Sequence, residues 1–152
     1  MSVPVTNASG MNVSVKISAP VNPTEMQEKV EKAISNFFPV ELKLQGSEIP
    51  ELFGEGDLES LRTLHLRLRE ERILDTARKI FLNGIEGDTT NTKFRLNKQV
   101  AYIGKLNFPA GKESLGSIHV EISAQNLSEL FLVIDWLAPD TIDGKPVMEI
   151  DL

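Results

Sequence analysis

The sequence predicts an α+β fold in which helices pack on one face of a mostly antiparallel sheet. Three observations support this class. Some segments alternate apolar and polar residues, others have helical spacing, and the two kinds do not follow each other in strict alternation. Strict alternation would instead indicate a parallel sheet. The predicted order is β-α-β, then one or two helices, then three strands, then a helix that a short edge strand can follow.

The chain opens with a predicted strand, helix and strand. In residues 12–20, valine and isoleucine alternate with polar residues, which is typical of a half-buried strand. Residues 22–39 carry apolar side chains at helical spacing and end at Pro39, a residue that cannot continue a helix. Residues 40–46 alternate again and end at a glycine. Together they predict a β-α-β unit.

A turn-rich segment and a helical region follow this unit. Residues 48–57 contain one proline and two glycines, which predicts a flexible loop. Asp57 is suited to cap a helix over residues 58–68, because its carboxylate can accept from free backbone N–H groups. Helical spacing then continues to Gly84, a residue type favoured at helix C-termini. The pattern leaves open whether this region is one helix or two that meet at an angle.

The next region is rich in β-forming residues. Residues 94–96 alternate apolar with basic side chains, and Asn97 and Lys98 predict a turn. Residues 100–108 predict a strand because aromatic and β-branched side chains are frequent there. Residues 117–123 alternate regularly and predict a further strand.

The final region is predicted to begin with a buried helix. Residues 127–138 are apolar on most sides of a helix, which places Trp136 in the core. Pro139 ends the helix. Residues 143–144 are an Asp-Gly pair, a strong turn signal, and residues 146–152 suit a last edge strand.

The composition is that of an ordinary globular protein. Of the 152 residues, 41% are hydrophobic and 25% are charged, so we expect a single domain over residues 12–152 after a frayed N-terminal segment, residues 1–11. No apolar run approaches the roughly 20 residues that span a bilayer. Cysteine is absent, which removes disulfides, thiolate nucleophiles and Cys-ligated zinc. We therefore expect a cytoplasmic protein with no membrane partner.

Charge is distributed unevenly along the chain. The net charge is −6, but residues 1–61 carry −5, residues 62–112 carry +6 and residues 113–152 carry −7. Within the basic segment, residues 92–112 hold five cations and no carboxylate. This asymmetry is the most informative feature of the composition.

Three stretches together resemble a known archaeal family. They are LREERILDTARKIFLNGIEG, RLNKQVAYIGKLNF and IDWLAPDTIDGKP, and the likeness extends over roughly residues 12–150. The family is catalogued as uncharacterised protein family 0201. The resemblance implies an α+β fold similar to that of the ribosomal large-subunit protein that binds 5S RNA. It implies no catalytic residue, and this chain, unlike a ribosomal RNA binder, is acidic.

No catalytic, cofactor-binding or metal-binding constellation is predicted. His65 and His119 are far apart in sequence and lie in no ligand-spaced pattern. Three aspartates between residues 135 and 143 lack the spacing of a calcium loop and are better suited to shaping a turn. A hydrolase built on scattered carboxylates is the most distant hypothesis. We therefore expect a protein that is not an enzyme and carries no cofactor.

The basic segment, residues 62–112, supplies the candidate binding residues. For contact with RNA or a protein partner they are Arg69, Arg72, Arg78, Lys79, Arg95, Lys98, Tyr102 and Lys105. Cations can hold phosphates, and an aromatic ring can stack on bases. The same cations also suit protection of an exposed strand edge, or a homodimer that pairs the basic segment with an acidic one.

These alternatives give two main hypotheses. The first is a non-enzymatic binding or scaffold protein that acts as a homodimer, and the second is an RNA-binding module that uses the basic segment. An acidic protein is a further candidate partner. A structure answers one question that bears on them, namely whether the basic helix and the basic strands share a face. A shared face favours RNA or an acidic partner, and opposite faces mean that the cations are grouped only by chain order.

Overall fold

A five-stranded antiparallel sheet forms the centre of the fold in the computed structural model, which describes residues 11–152. Its strands are β1 (Ser14–Pro20), β2 (Lys43–Gln45), β3 (Glu51–Gly56), β4 (Asn91–Leu96) and β5 (Ile118–Ser123). Across the sheet the strand order is β2-β3-β1-β5-β4, and every neighbouring pair is antiparallel. The strand β1 therefore lies at the centre of the sheet, between β3 and β5.

Five helices are present in the described part of the chain. They are α1 (Gln27–Ser35), α2 (Arg62–Glu70), α3 (Leu74–Asn83), α4 (Lys98–Tyr102) and α5 (Leu127–Leu137). A 3₁₀ turn (Leu58–Leu61) precedes α2, and a small hairpin of β6 (Thr141–Ile142) and β7 (Lys145–Pro146) follows α5. The predicted α+β class is confirmed, and the order of elements agrees with the prediction apart from two local differences.

The alternation of side chains gives the sheet two unlike faces. On one face, apolar residues of the strands are buried beneath the helices: Val15, Ile17, Ala19, Leu52, Phe94, Leu96, Ile118, Val120 and Ile122. The opposite face carries polar and charged side chains together with Phe53, and no helix within residues 11–152 covers it. Burial of one face fixes the register, because a shift by one residue would expose the whole apolar set.

The helices close the core from one side. Among the largest fully buried side chains, the helices contribute Ile34, Leu64, Leu68 and Phe81, and the segment after α1 adds Phe37 and Phe38. Trp136 is 2% exposed, so its predicted core position is confirmed. Its ring stacks on that of His65 at 4.4 Å between centroids and 19° between planes, which holds α5 against α2.

The first local difference concerns residues 48–57, where a loop was predicted and β3 forms. Leu52 and Gly54 face the core in this strand. A Cβ atom at Gly54 would lie 2.7 Å from Val40 and 2.9 Å from the carbonyl oxygen of Glu41. The glycine is therefore a packing residue that lets the preceding segment cross closely, and it is not a turn residue.

The second difference concerns residues 100–108, where a strand was predicted. A short helix, α4, begins instead after Asn97, whose side-chain oxygen accepts from the N–H of Val100 at 2.8 Å. Asn97 and Lys98, predicted as a turn, are thus the cap and first residue of this helix. The cap at Asn97 favours a helix, and it outweighs the β-propensity of the aromatic and β-branched side chains in residues 100–108.

The basic helical region consists of two helices. Arg72, at φ 56°, lies in the left-handed region between them, and α3 ends at Gly84 as expected. Asp57 accepts from the N–H of Glu59, so the predicted cap is confirmed, although it begins the 3₁₀ turn.

The C-terminal region differs only slightly from its prediction. The Asp143-Gly144 turn has positive φ at both residues and joins β6 to β7. Of the predicted edge strand over residues 146–152, only Pro146 belongs to β7, and the N–H of Val147 donates to the carbonyl oxygen of Asp140 at 2.8 Å. No helix in the described part of the chain is long and apolar enough to cross a membrane. The segment expected to be frayed, residues 1–11, lies outside the described residues except for Met11, which packs partly buried against the core.

Candidate nucleic-acid interface

Two of the candidate arginines, one on each basic helix, are bound by groups of the same chain. Arg69 on α2 forms an ion pair with Glu149 at 2.7 Å. Its guanidinium also donates to the carbonyl oxygens of Leu137 at 2.9 Å and Trp136 at 3.0 Å. These bonds fasten α2 to the end of α5 and to the C-terminal segment. The side chain of Arg69 is thereby a structural clamp.

Arg78 on α3 is held in the same way. Its guanidinium pairs with Asp135 at 2.8 Å and with Asp140 at 3.2 Å, and it donates to the carbonyl oxygen of Ala138 at 3.0 Å. Two of the three aspartates expected to shape a turn therefore bind a cation of α3, while Asp143 lies in the turn between β6 and β7. Removing the arginine would leave a carbonyl and two carboxylates without this donor.

The remaining arginines of α2 are also paired locally. Arg62 binds Glu59 at 2.7 Å, and Arg67 binds Glu70 at 3.0 Å and Glu71 at 3.7 Å. The two clamps thus pair the basic helices with the acidic C-terminal segment, while Arg62 and Arg67 are paired with carboxylates near them in sequence. The charge complementarity that suggested a homodimer is thus used internally.

Lys98 is the most deeply buried of the candidates, at 2% exposure. Its ammonium donates to the carbonyl oxygens of Pro20 at 2.8 Å and Leu115 at 2.7 Å, and to Glu25 at 2.8 Å. Burial alone would raise the pKa of Glu25, but hydrogen bonds from Lys98 and Asn22 hold it below its usual value. The lysine fastens α4 to the end of β1.

The other candidates lie closer to solvent. Tyr102 is half-buried at the end of α4, while Arg72, Lys79 and Lys105 are exposed. Within residues 11–152 these three cations form no ion pair. Arg72 and Lys79 belong to the helical layer, on the side of the sheet away from its open face.

The open face of the sheet is where the basic strand displays its charges. One register row across four strands is Lys93, Glu121, Lys16 and Glu55. Cations and carboxylates alternate along it, so its charges largely cancel. This row is called the flanking row below.

The neighbouring row has a different composition. It runs across all five strands as Arg95, His119, Ser18, Phe53 and Lys43. It contains no carboxylate, has a cation at each end, and carries three flat side chains that can stack on bases. At about 4.8 Å between strands it spans about 19 Å. This set is called the central row below.

The side chains of the central row are held in defined surroundings. The guanidinium of Arg95 donates to the carbonyl oxygens of Gly111 at 2.9 Å and Pro109 at 3.4 Å, which fixes its plane. Partial burial lowers the pKa of His119 and the nearby Arg95 lowers it further, while Glu51 opposes them. A shallow depression of about 550 Å³ is lined by Arg95, His119, Ser18 and Phe53, together with neighbours that include Glu51 and Glu121.

Four of the five central-row residues were not among the sequence candidates. Alternation does place Ser18 and His119 on the polar face of their strands, but it does not reveal which strands are neighbours. Phe53 lay in a segment predicted as a loop, and Lys43 in a short strand. Only Arg95 was a candidate, and it occupies one end of the row.

The basic helices and the basic strand do not share a face. Lys93 and Arg95 point to the open side of the sheet, whereas α2 and α3 cover the other side. The two histidines are likewise separated, since His65 stacks in the helical layer and His119 lies on the open face. Within the described residues, no three His, Asp or Glu side chains gather closely enough to hold a metal ion.

Sequence comparisons find close relatives. A family model described as RNA binding matches residues 14–124. The UPF0201 protein of Methanosarcina acetivorans is 40% identical over 152 aligned positions, which cover 92% of this chain and 93% of the relative. That of Methanopyrus kandleri is 40% identical and covers 90% of this chain and 91% of its own length.

Solved structures agree with these relatives. The crystal structure of the UPF0201 protein from Methanococcus jannaschii matches with a TM-score of 0.79 and 37% identity, over 89% of this chain and 99% of that one. A second UPF0201 crystal structure matches with a TM-score of 0.72 and 36% identity, over 88% and 99% of the two chains.

Proposed function

Because this chain belongs to the archaeal UPF0201 family, and the family model that it matches is described as RNA binding, we propose that it binds RNA through the open face of its sheet. The observation that carries the choice of surface is the central row. It is the row of this face on which cations and flat side chains occur without a carboxylate. The cations of the helices are mostly bound within the chain.

The chemistry of the central row suits a strand of unpaired nucleotides. Lys43 and Arg95 stand at its two ends and can hold phosphates, while Phe53 and His119 between them offer rings for bases. Ser18 adds a hydroxyl group that can bond to a base edge or to a 2′-hydroxyl. Sheets that present aromatic side chains on an open face bind RNA in this way.

Unpaired RNA fits this surface better than a duplex. Stacking on Phe53 or His119 needs bases that are free of their own neighbours, which loops and bulges supply. The overall charge of −6, and the carboxylates Glu55 and Glu121 in the flanking row, weaken long-range attraction to a phosphate backbone. Base contacts therefore have to contribute much of the affinity.

The resemblance to the ribosomal protein that binds 5S RNA is part of this proposal. It favours the loop of a structured RNA over a fully flexible strand as the ligand. We further propose a cytoplasmic role without catalysis. The homodimer expected from the charge pattern stays a proposal, and sedimentation of the protein alone tests it.

Fluorescence anisotropy with two labelled RNAs tests the function. One is a hairpin with an unpaired loop, and the other is a duplex of equal length. We expect tighter binding to the hairpin, because only its loop offers free bases. Phe53→Ala is expected to weaken hairpin binding about tenfold through lost stacking. Arg95→Ala with Lys43→Ala is expected to reduce the slope of log affinity against log salt by about 1.4, at about 0.7 per phosphate.

The matched control is Arg72→Ala with Lys79→Ala, which removes the same charge from the helical layer. It should leave the affinity for the hairpin nearly unchanged. The surface is wrong if this control loses as much affinity as the central-row variant. The function is wrong if the wild-type protein binds neither RNA at micromolar concentration in low salt.

A further inference from the structure

A cavity of about 410 Å³ lies between α1 and α4. Its walls are formed mainly by Val30 and Ala33 of α1, Tyr102 of α4, and Leu115. It shares no lining residue with the depression on the open face of the sheet. Its size and largely apolar lining are typical of sites for small ligands, which measure roughly 300–1,000 Å³.

The walls of this cavity are fixed at both ends. At one end, the side-chain amide of Asn36 donates to the carbonyl oxygens of Ala101 at 2.8 Å and Tyr102 at 3.2 Å, which ties the end of α1 to the end of α4. At the other end, the buried ammonium of Lys98 joins the start of α4 to Pro20 and Leu115. The cavity is therefore part of the folded framework, and a ligand need not open it.

Its rim is positively charged. The ammonium groups of Lys29 and Lys32 lie 5.7 Å and 5.1 Å from the centre of the Tyr102 ring. In the described part of the chain, neither lysine forms an ion pair. Glu25 lines the cavity, but its carboxylate is already bound by Lys98 and Asn22. Lys29 lines the cavity and Lys32 lies beside its Tyr102 wall, so two ammonium groups stand next to this ring.

We infer that this cavity binds a nucleoside monophosphate. The base would pack against Tyr102 and the aliphatic wall, and the side-chain amide of Gln99, which also lines the cavity, offers a donor and an acceptor to its edge. The phosphate would lie between Lys29 and Lys32, where a dianion matches two cations. The site stands apart from the central row, so the inference does not depend on the proposed function.

Two kinds of molecule could supply this nucleotide to the cavity. A free nucleotide and the 5′-terminal nucleotide of an RNA that carries a 5′-phosphate present the same base and phosphate. Binding of the terminal nucleotide would place an RNA end at α1 and α4. Binding of the free nucleotide alone would make the cavity a metabolite site.

Amide NMR titration of the full chain tests the inference. With AMP, GMP, CMP and UMP as separate probes, at least one is expected to give saturable shifts in α1 and α4 at millimolar concentration or below. Adenosine and inorganic phosphate should each bind more weakly than AMP, because each supplies half of the contacts. Lys29→Ala with Lys32→Ala is expected to weaken binding about tenfold, through loss of charge-assisted bonds to phosphate.

Arg72→Ala with Lys79→Ala is the matched control, since it removes two exposed cations that line neither the cavity nor the open-face depression, and it should leave nucleotide affinity unchanged. The inference is overturned if no nucleotide gives saturable shifts, if the shifts fall only on the open face, or if inorganic phosphate binds as tightly as every nucleotide. Two short RNAs, one with a 5′-phosphate and one with a 5′-hydroxyl, then identify the source. If only the phosphorylated RNA binds at α1 and α4, the ligand is an RNA end. If a mononucleotide binds there and the phosphorylated RNA does not, the ligand is the free nucleotide.

Discussion

The basic segment, residues 62–112, has a helical half and a strand half, and the cations of the two halves have different surroundings in the structure. In the helical half, Arg69 and Arg78 reach carboxylates and carbonyl oxygens near the C-terminal end of the chain. In the strand half, Lys93 and Arg95 stand on a sheet face that no helix covers. The first group holds elements together, while the second is available to a ligand.

This contrast shows that charge density along a sequence does not define a surface. The helical arginines are close in sequence to the strand cations but lie on the other side of the sheet. Their nearest partners come from a segment about 60 to 80 residues away, and that segment carries the largest negative charge of the chain. Lys98 supports the same conclusion, because it belongs to the strand half and yet is buried in an ion pair.

The largest expected effect follows from removing the buried ammonium. Lys98→Met should lower the free energy of unfolding by about 3–5 kcal/mol, because Glu25 and two carbonyl oxygens would lose their donor. Urea denaturation measures the loss. If the variant kept full stability but no longer bound RNA, Lys98 would be a ligand-binding cation, and its assignment to the cations that hold the fold together would be wrong.

The second prediction compares two arginines directly. Arg69→Ala should cost about 2 kcal/mol of stability, because its bonds to Glu149, Trp136 and Leu137 are lost. Arg95→Ala should cost less than about 1 kcal/mol, since its acceptors lie in an exposed loop. RNA affinity should change in the opposite order. Thermal denaturation and anisotropy on the same two variants measure both quantities.

The third prediction concerns acid unfolding. A hydrogen bond from Arg69 holds the pKa of Glu149 below its ordinary value of 4.5, against the opposing effect of burial. The pair therefore stabilises the fold above about pH 4.5, and this contribution disappears as the pH falls through the lowered pKa. Glu149→Gln should be less stable than the wild type at neutral pH and should approach it in acid. Since Glu149 is half exposed, the difference is small.

The smallest expected effect is a pH dependence of RNA binding. Burial and then Arg95 lower the pKa of His119 below its ordinary 6.5, so the ring gains its proton only as the pH falls below that value. Protonation below pH 6.5 adds a cation to the central row, and RNA affinity should rise by a few-fold, on the order of one added phosphate contact. His119→Gln should lack this rise, whereas His65→Gln, in the helical layer, should keep it. Equal behaviour of the two variants would contradict the assignment.

The sequence by itself determined the class of fold and most of its elements. Period-two alternation in β1 and β5 and helical spacing in α1 and α5 are local properties, so they can be read without a partner segment. The cap at Asp57 and the turn at Asp143 and Gly144 are equally local. Trp136 could be assigned to the core because its neighbours on the helix are apolar.

Two local errors have a common cause. Gly54 resembled a turn residue because sequence does not show the chain that crosses beside it. Residues 100–108 resembled a strand, but the local cap at Asn97 begins a helix, and bonds from Asn97 to Glu113 and from Lys98 to Pro20 hold it. Contacts between distant residues contributed to both cases.

The tertiary structure alone decided which charges are free. Pairing of Arg78 with Asp135 and Asp140 depends on how α3 packs against α5, and no local pattern encodes that contact. The central row likewise depends on strand order, since Arg95 and Lys43 meet in one row only when β5, β1 and β3 lie between them. Coulomb energy depends on distance in space, and spacing along the chain does not determine that distance.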